Sequence, residues 1–134
     1  MATAPYEVSW NPPRQACADW SVRDDIVVWV SVAKLDEAWK RDHGFYIGPC
    51  GSGAAIEDRY ARVGAWLAAK QDGVDLPVVA IDGDMVAFSD GRHRFAWLRD
   101  HGVRAMPVQV PADQVAEFER KFGVGERASI IHVR

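Results

Sequence analysis

Six consecutive residues, Ser89-Asp90-Gly91-Arg92-His93-Arg94, have the chemistry to hold an anion. They separate a short apolar run from a segment of helical spacing, so they open a helix. The first turn of a helix carries free N–H groups and a partial positive charge, and acidic side chains are favoured there. This segment instead places Arg92, His93 and Arg94 in that turn. Each cation at a helix N-terminus costs about 0.3–1 kcal/mol unless an anion offsets it. Gly91 lets the backbone approach a ligand closely. A phosphate would accept from the N–H groups and pair with the guanidinium forks. The alternative is internal: Asp90, with Ser89, caps the helix and pairs with the arginines. One carboxylate does not easily satisfy two arginines and a histidine. The expectation is therefore a site for nucleotide or nucleic-acid phosphate, with Gly91, Arg92, His93 and Arg94 as the binding groups. His93 is the candidate general acid or base, being the side chain best tuned to neutral pH. Asp90 would orient it or hold a divalent ion.

The elements that must position this box follow from periodicity and turn chemistry. Ile26 to Val32 is a β-branched, aromatic run that reads as a strand buried on both faces. Lys34 to Arg41 reads as a short helix with Leu35 and Trp39 on one face. Residues 45–55 form a glycine-rich loop, and Glu57 to Gln71 an amphipathic helix with Tyr60, Val63, Trp66 and Leu67 at helical spacing. Leu76 to Ile81 and Met85 to Phe88 flank the hairpin signal Asp82-Gly83-Asp84. The box helix runs from Arg92 to Asp100, stopped by His101-Gly102, with Phe95 and Leu98 towards the core and Arg92 and His93 near the mouth of the site. Arg99 and Arg104 read as solvated surface residues. Met106 to Val110 is a further strand, 113–122 a helix, and 128–133 a last strand. The order implies an α+β fold, a small mixed β-sheet with surrounding helices. Residues 1–23 read as an N-terminal arm lying on one domain spanning 24–134. Pro12-Pro13 argues against a regular element there.

The remaining signals narrow the class. The chain has 134 residues, 49% hydrophobic and 26% charged, which suits one ordinary globular core. Its net charge of −3 argues against a generic nucleic-acid coat protein but not against a local basic site. No stretch reads as a membrane span or secretory signal, and Cys17 and Cys50 read as free thiols, so a cytoplasmic protein without membrane partners is expected. Gly48-Pro49-Cys50-Gly51-Ser52-Gly53 lacks the Lys-Ser/Thr of a Walker A loop. It is either a plain surface loop or a cover that brings Ser52 and Arg59 to the ligand. No metal triad emerges from the spacing of His, Cys and acidic residues.

The stretch Leu76-Pro77-Val78-Val79, the hairpin, Asp90 to Leu98, Gly102 and Met106-Pro107-Val108 resembles the ParB/sulfiredoxin-like superfamily. Its pattern is a strand opened by proline, a hairpin, a G-x-[HR]-R box, a glycine and a "P-V" strand. The resemblance covers about residues 24–111 and implies that Gly91, Arg92, His93 and Arg94 hold phosphate. Arg59 and Arg62 on the preceding helix are looser candidates. It implies ATP or another nucleotide as cofactor, with Mg²⁺ as a candidate companion, and DNA as a candidate partner. Arg92 stands where a sulfiredoxin keeps its catalytic cysteine, which speaks against sulfinic acid reduction. The chain past Pro111 is too short for the DNA-binding domain of a segregation protein. Stand-alone members include plasmid proteins of the oncogenic-suppression (Osa) type, which inhibit conjugation or effector transfer. The resemblance thus implies an ATPase or DNase, or a non-catalytic module that blocks a conjugation or secretion component. Trp10 and Trp20 are a candidate contact surface, unless they simply pack on the domain.

Overall fold

The computed structural model describes residues 6–11, 26–53, 58–69, 73–125 and 130–133. Strand β2 (Ile26–Ser31) leads directly into helix α1 (Val32–Trp39), and helix α2 (Arg59–Ala69) follows the glycine-rich loop. Strands β3 (Val78–Asp82) and β4 (Met85–Asp90) form the hairpin, helix α3 (Arg92–Asp100) carries the box, and strand β5 (Ala105–Val110) and helix α4 (Val115–Phe122) come after. Two short strands, β1 (Tyr6–Ser9) and β6 (Ile130–Val133), pair with each other. The main sheet has the order β2-β5-β3-β4. β2 and β5 are antiparallel, β3 and β4 are antiparallel, and β3 runs parallel to β5. This mixed sheet with four helices is the expected α+β fold. Among the described residues, no helix is long and apolar enough to cross a membrane.

Several boundaries moved for local reasons. The first helix begins at Val32 rather than Lys34, because the Ser31 hydroxyl accepts from the Lys34 N–H and caps it there. β2 is not buried on both faces: Val28 and Val30 on one face are buried, whereas Val27, Trp29 and Ser31 on the other are only half-buried. β2 is also a sheet edge, with β5 as its one neighbour in the four-stranded sheet. All six residues of β5 are buried, since β5 lies between two strands. Residues 6–9 form a strand in the region read as an irregular arm, and Val8 enters the core. Its partner lies at the far end of the chain, beyond the reach of a local reading. Trp10 bridges to Val74 and packs on the core, while Trp20 and Cys17 lie outside the described residues.

Trp39 is the centre of the core, at 0% exposure. Its ring meets Tyr46 and Phe88 edge-on with centroids 4.8 Å apart, and Phe95 at 5.6 Å. Leu35, Phe95, Leu98, Met106 and Phe118 are equally sealed. Each such side chain contributes about 1.5–3 kcal/mol by leaving water. Helix α2 lies on α3 with Gly64 directly beneath the Trp97 ring, where a Cβ would come within 2.3 Å of it. Trp97 cannot retreat, because it is stacked on His101 at 3.9 Å and packed against Tyr60 at 5.0 Å. Trp66, read as a core position of α2, is instead 44% exposed; Gly64 takes the contact with α3 that a larger side chain would block.

Arg99 is the main departure from expectation. It is not a solvated surface residue: its side chain is only 10% exposed. Its guanidinium donates to Asp36 at 2.9 Å, to Asp100 at 2.9 Å and to the Ile47 carbonyl at 2.6 Å. Tyr60 donates to Asp100 at 2.7 Å, the Cys50 N–H donates to the same carboxylate at 3.0 Å, and Tyr46 donates to Asp36 at 3.2 Å. Burial pushes the Asp100 carboxyl up, but hydrogen bonds from Arg99 and Tyr60 outweigh this and hold it below the ordinary carboxylate range. Replacing Arg99 would strand two largely buried carboxylates. Arg99→Leu is expected to lose about 3–5 kcal/mol of stability in urea unfolding, the usual cost of breaking a buried ion pair on one side. A loss under about 1 kcal/mol, the typical value of an exposed pair, would show that the network is peripheral.

Candidate phosphate-binding cleft

The box sits where β4 hands over to α3. Gly91 is the N-cap of α3 and adopts φ +79°, which an L side chain rarely takes. A Cβ there would also meet the Pro77 backbone at 2.9 Å and the Arg94 guanidinium at 2.7 Å. Glycine is therefore required twice over, by conformation and by space. The N-cap is a glycine and supplies no side-chain cap of its own, while Asp90, one residue before it, pairs with Arg94 as the internal alternative expects. The α3 first turn holds no acidic residue.

Beside this turn lies an open cleft of about 330 Å³. One wall is Ser89 to Arg94; the other comes from Arg59 and Val63 of α2; Phe45 and Phe88 complete it. Among the described residues, three guanidinium groups and an imidazole thus line the cleft with a single carboxylate, Asp90. Arg94 is 16% exposed and lies 3.6 Å from Asp90, an ion pair beyond hydrogen-bond length. Its Nε and Nη2 are buried and have no hydrogen-bond partner among the described residues. The His93 Nε2 is in the same condition. Arg92 lies over the Phe45 ring, 5.0 Å from its centroid.

His93 is not at the mouth of the site. It is 6% exposed, turned inward by the helical spacing that also buries Ala96. Burial pushes its pKa down to about 4, and the neighbouring charges of Arg92 and Arg59 add to the effect. The imidazole is neutral at physiological pH. It has no proton to donate as an imidazolium, and as a base it is weaker than an ordinary histidine.

The other predicted residues divide. Arg59 is brought to the cleft by α2. Arg62 is not among its lining; it pairs with Asp58 at 3.3 Å and borders a neighbouring groove with Arg59, Val63 and Trp66. Ser52 is not there either. Its loop is fastened to Asp100, at the opposite end of α3 from the box, about 12 Å away at 1.5 Å per residue. The described part of that loop closes on itself, with the Gly48 N–H donating to the Ser52 carbonyl at 2.8 Å. Phe45, Val63 and Phe88 are cleft residues that sequence reasoning passed over. Only Phe45 left a trace, as a bulky aromatic at the start of a glycine-rich loop with no periodic partner.

No curated protein matches the chain. Among solved structures, it is similar to the crystal structure of Oncogenic Suppression Activity Protein, a plasmid fertility inhibition factor, determined as a gold(I) cyanide derivative. The two share 29% identity with a TM-score of 0.56, and the match covers 81% of this chain. It spans 61% of that protein's chain, so part of the relative has no counterpart in the match. The family profile for plasmid fertility inhibition factor matches residues 27–123, from β2 through α4 and including the whole box. The chain therefore belongs to the plasmid fertility inhibition factor family.

Proposed function

We propose that the cleft binds the phosphate of a nucleotide, ATP foremost, or of DNA, and that the protein hydrolyses the phosphoryl bond it holds while restraining plasmid transfer. The observation that carries this reading is the pair of buried Arg94 donors, Nε and Nη2, that make no hydrogen bond among the described residues, beside the glycine start of α3. Buried polar groups are normally hydrogen-bonded, and leaving them unmade costs about 1–3 kcal/mol each. A phosphate oxygen satisfies them together with the helix N–H groups. The resemblance of Gly91-Arg92-His93-Arg94 to the ParB/sulfiredoxin box supports the same ligand. The likeness to a plasmid fertility inhibition factor of known structure supports the role in transfer. A conjugation or secretion component is the proposed partner.

In hydrolysis the arginines and the main-chain N–H groups neutralise the phosphoryl oxygens. Neutral His93 takes the proton of the attacking water as its oxygen bonds to phosphorus and the bond to the leaving group breaks. Asp90 steadies Arg94 through their ion pair. The donor set does not suit a protein-held Mg²⁺, which prefers several oxygen ligands. The cleft offers one carboxylate among cations, and no group of three or more His, Cys, Asp or Glu side chains is gathered among the described residues. A divalent ion would arrive with the nucleotide. A second reading, binding without chemistry, is favoured by the burial of the His93 Nε2, which water would have to reach.

Thermal-shift titration with ATP, CTP and a DNA duplex tests the ligand. Arg92→Ala and Arg94→Ala should each weaken binding by about 10- to 100-fold, the worth of a charge-assisted hydrogen bond. Unshifted melting with all three ligands would overturn the proposal. His93→Gln should stop product release while binding remains measurable. Product release equal to wild type would remove His93 from the chemistry, and no release by the wild type itself would leave the binding reading.

The buried imidazole also sets a pH dependence. Its folded pKa of about 4 lies below the ordinary 6.5, so between those values the unfolded chain binds a proton that the folded chain refuses. Stability from this group is fully present above pH 6.5 and declines as pH falls towards 4. The total loss is about 3 kcal/mol. Urea unfolding across that window should show the slope in wild type, and the slope should shrink in His93→Gln. An identical slope in the variant would contradict the assignment.

A further inference from the structure

The phosphate reading explains the basic wall of the cleft but leaves the apolar one unused. Phe45 lines the cleft and is 61% exposed, the most exposed of the large apolar side chains described. Its position is not a matter of slack chain. The Phe45 and Tyr46 N–H groups donate to the Asp42 carbonyl at 3.3 and 2.9 Å. Asp42 is itself buried, and Tyr46 is held edge-on against Trp39 with its hydroxyl on Asp36. The backbone is therefore fixed on both sides of a ring that stays outside the core. Val63 and Phe88 extend the apolar surface inward from it. The Arg92 guanidinium lies over the ring, linking the aromatic surface to the box in one contact.

A bare phosphate has no use for this wall. A volume of about 330 Å³ falls in the range of small-ligand pockets, and a single phosphate would leave most of it empty. The ligand that matches both walls is an anion carrying a flat, apolar, polarisable group, which is the chemistry of a nucleobase joined to its phosphate. Stacking of a base on an aromatic ring, reinforced by an arginine, is worth far more than leaving that ring in water. We propose that Phe45 is the base-stacking platform of this cleft, and that it makes the site one for nucleotides rather than for phosphate in general. The inference rests on the phosphate reading above and adds the base subsite to it. The stacked base comes either from a free nucleotide or from a single strand.

Calorimetric titration of the whole protein with ATP, inorganic tripolyphosphate and a short oligothymidylate tests it. Phe45→Ala should weaken ATP binding by tenfold or more and leave tripolyphosphate binding within about twofold, since stacking acts on the base alone. Phe45→Trp should restore ATP affinity. A matching loss with oligothymidylate would show that bases of a strand use the same ring; a loss confined to ATP would assign it to free nucleotide. Equal losses for ATP and tripolyphosphate would overturn the inference, because the ring would then merely hold Arg92. So would unchanged ATP and oligothymidylate affinity in Phe45→Ala. The parallel variant Arg94→Ala separates the two ideas. If it binds all three ligands normally, the phosphate reading itself has failed; if it loses all three while Phe45→Ala loses none, only the platform has.

Discussion

One buried guanidinium ties together the helices that frame the cleft. Arg99 joins α3 to α1 through Asp36, to the glycine-rich loop through the Ile47 carbonyl, and by way of Asp100 to Tyr60 of α2. Three charges are taken largely out of water to make this junction, which is unfavourable unless the geometry satisfies them. Here it does, with hydrogen bonds of 2.6–2.9 Å around one planar fork. The junction therefore selects a particular arrangement of helices rather than simply adding stability. Because it sits at the C-terminal end of α3, it fixes the axis along which the opposite end points into the cleft.

That opposite end is built against its own electrostatics. Cations crowd a helix N-terminus, the tightest turn is made by a glycine with positive φ, and a histidine is buried without a partner for one nitrogen. The crowded cations are unfavourable on their own, and the anion proposed above would relieve them; the positive φ costs a glycine little. The surrounding core supplies the tolerance. Phe95 and Leu98, on the same helix, are fully sealed and anchor it regardless of what happens at the first turn. Strain is thus confined to a few residues on a helix that cannot move to escape it.

The box was legible in the sequence because it is local. Its glycine, its charges of unfavourable sign and its flanking strand and helix all lie within about a dozen residues, and α3 runs over Arg92–Asp100 as its pattern implies. The α+β order was legible for the same reason, since hairpin and helix signals are short-range. What was hidden depends on contacts between distant segments. Arg99 looks like any charged residue in a last helical turn until Asp36 is brought to it from 63 positions away. Ser52 was drawn to the ligand by composition, but the loop answers to Asp100 instead. His93 was placed with Arg92 near the mouth of the site because Phe95 and Leu98 anchor the helix body, but helical spacing turns it inward. Phe45 gave almost no signal, because its significance lies in what stands across the cleft.

The pairing of β1 with β6 has a kinetic meaning. The hairpin, α3 and β5 are contiguous, so they can find each other early with little loop-closure entropy. Tyr6 must meet Val133 across nearly the entire chain, and that search is rewarded only by a four-residue ladder. The strand pair should therefore be among the last structures to assemble and the first to open. Val8, sealed in the core by that pair, couples this late latch to the body that carries the cleft.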